Sequence, residues 1–146
     1  MGEKVRGNRV LTGTYAEVWV DGDKIFECSK IEQKITANRE DVQIDIDVDS
    51  KITGLKGELT LTVKKVYSRY LDVFENWKKG IDQRVQIISK LEDPDATGGQ
   101  MERYSTDNCW FNDLPLVNWE KGNLVEQEVS GGFTPTDMIN LDKIST

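Results

Sequence analysis

Histidine is absent from the 146 residues. That removes the commonest general base and the commonest nitrogen ligand for a metal. A Ser-His-Asp triad, a Cys-His nucleophile pair and a His-bearing zinc site are all excluded with it. Cysteine is scarce: Cys28 and Cys109 stand far apart and outside any CxxC spacing. The N-terminus, Met1-Gly2-Glu3-Lys4-Val5-Arg6, lacks the apolar core of a secretory signal, so the pair reads as two buried thiols rather than a disulfide. Arg6 also stands where a myristoylation signal on Gly2 needs Ser or Thr. No apolar run approaches the roughly 18 residues that span a bilayer, so no membrane association is expected. Basic residues are outnumbered, 19 Lys and Arg against 26 Asp and Glu. A surface with that balance repels phosphate backbones and argues against sequence-reading nucleic-acid binding. A conduit that nucleic acid must pass without sticking would carry the same sign.

Repeats, low-complexity tracts and linkers are also missing. The chain therefore reads as one domain, 1–146, with possible flexible arms at 1–8 and 131–146. What it has in quantity is short period-2 segments between turn signals, the mark of an antiparallel sandwich or barrel. Thr14–Val20, the dipeptide Asp21-Gly22 and Lys24–Ile35 predict a hairpin with a type I′ turn. Asp41–Asp49 alternates throughout, which predicts one strand with Val42, Ile44, Ile46 and Val48 on one face and acidic residues on the other. A turn at Thr53-Gly54 and a second alternating strand, Gly57–Lys64, are expected to follow and to pair with it, Leu59, Leu61 and Val63 facing in. The period changes to a helical one over Ser68–Lys79, where Tyr70, Leu71, Phe74 and Trp77 share a face, Ser68 can cap and Gly80 can close. Strands are predicted again at Gln83–Leu91 and Met101–Phe111. A last hairpin, Leu116–Trp119 with Leu124–Val129, is expected around Glu120–Asn123. Gly131-Gly132 and Pro135 end the sheet, and Thr136–Thr146 reads as an arm.

Three constellations could carry chemistry. Asp45, Asp47 and Asp49 have the spacing that opens a calcium loop, but Ser50 and Lys56 stand where that loop needs Gly and Glu. Glu17 and Glu27, opposite each other in the first predicted hairpin, could act as a glycosidase pair, yet nothing else marks a sugar site. Trp19, Trp110 and Trp119 are most simply core or interface residues. The basic pairs Lys64-Lys65 and Lys78-Lys79 suit solvated faces, and in an acidic chain also head-to-tail self-association. No catalytic residue, cofactor or metal is expected.

One resemblance runs through most of the chain. Gly13-Thr14-Tyr15 with Val18–Gly22, Asn38–Val42, Thr53–Gly57, Lys65–Arg69, Ile87–Leu91, Asp93–Ala96, Phe111–Leu114 and Asn118–Glu120 resemble, in order, the tail tube proteins of PBSX-like prophages and related contractile-tail phage particles. The family usually carries Pro-Phe-Thr-Phe-Thr near its end, where this chain has Ser130-Gly131-Gly132-Phe133-Thr134-Pro135-Thr136.

The resemblance implies a β-sandwich with one flanking α-helix, of the kind shared with type VI secretion tubes. It implies hexameric rings stacking into a hollow conduit within a virion tail, made in the bacterial cytoplasm before assembly. The partners would be further copies of the chain, tail sheath, baseplate and tape-measure proteins, with DNA only in transient, non-specific passage. On that reading Asp45, Asp47 and Asp49, with Glu58, Thr60 and Thr62, line an acidic lumen. The expected loop Thr36, Ala37, Asn38, Arg39 and Glu40 makes the inter-ring contact. The rival readings are a monomeric β-sandwich module that binds carbohydrate or another ligand, and a hydrolase using paired carboxylates.

Overall fold

The computed structural model describes residues 7, 11–94 and 100–145. Its strands are β1 (Glu17–Val20), β2 (Asp23–Lys24), β3 (Cys28–Ile44), β4 (Asp47–Lys64), β5 (Val85–Glu92), β6 (Met101–Phe111), β7 (Glu126–Phe133) and β8 (Met138–Asp142), with one helix, α1 (Leu71–Lys78). They hydrogen-bond in the order β2-β1-β5-β6-β7-β4-β3, with β8 also on β6. Every pairing is antiparallel. The mainly β fold with one helix agrees with the sequence expectation.

Two sheets share β6. Its residues from Met101 to Cys109 pair with β5 and those from Arg103 to Thr106 with β8, while Trp110 and Phe111 pair with Gly132 and Gly131 of β7. Just before this change of partner Asn108 takes φ 56° and β6 carries an extra residue against β5. A bulge of that kind bends and twists a strand, which here lets it leave one sheet for the other. The crossing is tight. A Cβ on Gly131 would lie 1.9 Å from the Trp110 carbonyl oxygen, and one on Gly132 2.7 Å from the Trp110 ring. On the far side of β7, a Cβ on Gly57 would lie 2.5 Å from the Phe133 carbonyl oxygen. The diglycine expected to end the sheet is thus where the two sheets meet.

The strict alternation of 57–64 is honoured because one face is wholly covered. Leu59, Leu61 and Val63 are buried with Val18, Val85, Ile87, Val129 and Phe133. Side chains of this size each stabilise by about 1.5–3 kcal/mol when fully buried. Helix α1 closes one end through Val73 and the preceding Tyr70, whose ring packs edge-on against Phe111. Gly80 ends it with φ 76°, as its sequence predicts. Ser68 does not cap, since the N-cap is Tyr70, and Leu71 faces solvent while Val73 turns inward.

Four segments differ from expectation. Asp21 and Gly22 both have positive φ, as a type I′ turn requires, but β2 stops after Lys24 and β3 starts only at Cys28. Second, Thr36–Glu40 is not a loop, because the ladder with β4 continues through it, from Thr36↔Lys56 to Glu40↔Lys51. Third, Asp41–Asp49 is not one strand: the chain reverses at Asp45-Ile46, and Val42 then faces Asp49 while Ile44 faces Asp47. Asp45 takes φ 54° there, a conformation Asp adopts more readily than most residues. Thr53-Gly54 accordingly sits inside β4, with Thr53 as the extra residue between Asn38↔Gly54 and Arg39↔Ile52. Fourth, 116–119 forms no strand, and the expected C-terminal arm is built into the sheets as the end of β7 and as β8. The expected N-terminal arm, Gly7 apart, and residues 95–99 lie outside the described residues.

Candidate assembly surfaces

β3 and β4 form one antiparallel ribbon. Near the body, β4 is anchored in the core through Leu59 and Leu61. Further out the cover ends. Every residue of β3 after Ala37, from Asn38 to Ile44, is exposed, and on β4 the residues from Asp47 to Thr53 are exposed as well. The outer ribbon is therefore a two-stranded arm with no third strand beside it among the described residues. At about 3.3 Å per residue, the stretch from Ala37 to Ile44 reaches roughly 25 Å beyond the body.

Cross-strand register assigns the arm's two faces. Residues 30, 32, 34, 36, 38, 40, 42 and 44 of β3 share one face with 62, 60, 58, 56, 54, 51, 49 and 47 of β4. Asp47 and Asp49 thus lie on the same side as Glu58, Thr60 and Thr62, because the bulge at Thr53 shifts the alternation by one. Asp45 sits apart from them, in the turn. The face is not purely acidic. Lys30, Lys34, Lys51 and Lys56 share it, and Glu58 pairs with Lys34 at 4.0 Å and Lys56 at 3.8 Å. Thr62 is buried and Thr60 half-buried. Apolar groups are divided between the faces, Val42 and Ile44 on this one and Val48 and Ile52 on the other. Ile46, at the turn, is 96% exposed.

The opposite end of β4 leads into the segment before α1. Here a groove of ≈ 290 Å³ is lined by Lys65, Arg69, Leu71, Phe74, Lys78 and Val117, among others. Arg69 is fixed from behind, its Nε donating to the Glu27 carboxylate, whose side chain is 8% exposed. Burial disfavours the Glu27 anion, but the Arg69 hydrogen bond, a backbone N–H and the Arg69 charge prevail and hold its pKa below the ordinary value. Burial also pushes Tyr70 up to about 12, and its hydroxyl has no hydrogen-bond partner among the described residues.

Glu27 therefore contributes stability that is present above its unfolded pKa and lost as pH falls through the lower, folded one. Arg69→Ala is expected to cost about 2 kcal/mol at pH 7, the scale of a hydrogen bond to a charged group. The difference from wild type should shrink between pH 7 and about pH 3.5, because without Arg69 the Glu27 carboxylate takes up its proton at a higher pH than in wild type. Urea titrations at the two pH values check this; an unchanged difference would contradict it.

Glu17 and Glu27 are not brought together as a pair. Glu17 lies 3.3 Å from Lys24 and 3.9 Å from Lys90, and Glu27 holds Arg69. Trp119 is exposed, while Trp19 and Trp110 are half-buried. Cys28 and Cys109 are free thiols, the first half-buried and the second buried, and burial raises both, Cys109 to about 12. Among the described residues no cluster of three or more His, Cys, Asp or Glu could hold a metal. No described helix is long and apolar enough to cross a membrane. The arm is the surface that sequence reasoning missed. A bare dipeptide turn at Asp45-Ile46, without Gly or Asn, gave no signal against the alternation on either side.

A family model described as phage tail tube protein matches residues 3–140. No protein of curated function matches by sequence. Among solved structures, the chain is similar to one in the extended sheath–tube complex of an extracellular contractile injection system, PVC, with a TM-score of 0.64 and 14% identity, over 92% of this chain and 93% of the other. A chain in the sheath/tube terminator of the same system gives a TM-score of 0.63 at 14% identity, over 87% and 94%. One in the tube-terminating cap of the anti-feeding prophage gives 0.61 at 10% identity, over 98% and 94%. At these identities the likeness is one of fold.

Proposed function

Because the chain belongs to the phage tail tube protein family, and its role is structural rather than enzymatic, we propose that six copies close into a ring and that rings stack into a hollow tube. The β3–β4 arm, including Thr36, Ala37, Asn38, Arg39 and Glu40, bridges one ring to the next. The exposed arm carries this reading. A two-stranded ribbon is marginal by itself in water, and this one leaves Ile44, Ile46, Val48 and Ile52 uncovered. Packing against another copy would cover them.

Ring closure has support in the sheet edges. Among the described residues β3 has no partner beyond β4, and β8 pairs only with β6. Open edges invite pairing with another chain, and joining them around a ring would remove them. The face bearing Asp47, Asp49, Glu58 and Thr60 is the candidate lumen wall, with four lysines beside the acids, while Thr62 on the same face is buried and drops out. DNA or effector would pass it without lasting contact. Sheath, baseplate and tape-measure proteins are the further partners this role calls for, in a tail particle assembled from subunits made in the bacterial cytoplasm.

Negative-stain microscopy of the purified protein, concentrated stepwise, tests the reading. Rings and hollow tubes are expected. A monodisperse monomer at every concentration would favour the ligand-binding sandwich instead.

A further inference from the structure

The arm tip and the groove before α1 are complementary. Between Asp41 and Asp49 the tip carries four aspartates and no basic residue, with Ile44 and Ile46 exposed among them. The groove presents Leu71 and Val117, also exposed, beside Lys65. Lys65 has no carboxylate within 4 Å among the described residues, whereas Lys78, also in the groove, faces Glu75, and Arg69 is held by Glu27. An acidic tip with exposed apolar groups fits a groove whose apolar side chains stand beside three basic residues, Lys65, Arg69 and Lys78, against one acid, Glu75.

A copy cannot satisfy this match by itself. The tip lies at the first residue of β4 and the groove starts just past its last, so an 18-residue strand holds them apart. Extended, that is roughly 60 Å. We infer that the tip of one copy seats in the groove of a second, a heterologous head-to-tail contact that repeats along a stack. This rests on the tube reading of the arm and names the surface that receives it.

Cysteine crosslinking at the contact gives a direct test. In the double variant Ile46→Cys/Val117→Cys, mild oxidation should give a ladder of covalent multimers on a non-reducing gel. Either single variant alone should give none, but the two mixed should give a dimer. Wild type is the background control for Cys28 and Cys109. Separately, Lys65→Glu/Lys78→Glu and Asp45→Lys/Asp47→Lys should each cut tube length at least tenfold, and their mixture should restore assembly in part. Wild-type tubes with no crosslink, and unaltered tubes from both charge variants, would overturn the contact and leave the tube reading standing. If wild type forms neither rings nor tubes, the tube reading fails. The crosslink then decides alone: a mixed dimer supports the contact, and its absence overturns it.

Discussion

Gly131→Ala is expected to destabilise the protein by about 3 kcal/mol or more, the upper range for overpacking a well-packed interior. The obstacle is backbone rather than a movable side chain: the new methyl would meet the Trp110 carbonyl oxygen at 1.9 Å and the Phe111 Cα at 3.1 Å. Relief requires β6 and β7 to separate, which breaks the Trp110↔Gly132 and Phe111↔Gly131 pairings that join the two sheets. Gly54→Ala is the control. Its nearest neighbour would be the Asn38 side-chain nitrogen at 3.8 Å, an ordinary contact, and its cost should stay within about 0.5 kcal/mol. Urea unfolding of both variants, followed by tryptophan fluorescence, makes the comparison. Equal midpoints would refute the account of the crossing.

Removing the arm should separate folding from assembly. Replacing residues 38–54 by Asn-Gly joins Ala37 to its cross-strand partner Leu55 through the dipeptide most suited to a two-residue hairpin loop. All the buried core residues lie outside the deleted segment. Stability should therefore change by no more than about 1 kcal/mol, while microscopy shows single rings at most. Long tubes of normal appearance from this variant would remove the arm from its inter-ring role.

The body of the fold was legible because burial enforces period 2. Leu59, Leu61 and Val63 alternate with polar neighbours since one face meets the core, and Met101–Phe111 was bounded correctly for a similar reason. The arm obeyed no such rule. Val42, Ile44, Ile46 and Val48 alternate in sequence, yet none is covered in a single copy, so their pattern reports no shared face. The reversal at Asp45-Ile46 and the bulge at Thr53 are local backbone events that leave the alternation looking intact. Gly131 and Gly132 misled in the opposite sense: glycine read as punctuation was required by the close approach of β6. The expectation of a purely acidic face suffered from the same limitation, since the lysines of β3 join that face only through pairing.

The continuity of β4 has a mechanical consequence. If the arm tip of one copy seats in the groove of the next, as proposed, the two ends of β4 are the two axial contact points, and a pull along the stack runs down a single strand. The hydrogen bonds to β3, and near the body also to β7, lie across that pull. They are loaded in shear, many at once, rather than unzipped one after another. A subunit strung in that proposed stack would resist stretching along its axis far better than peeling at its open edge.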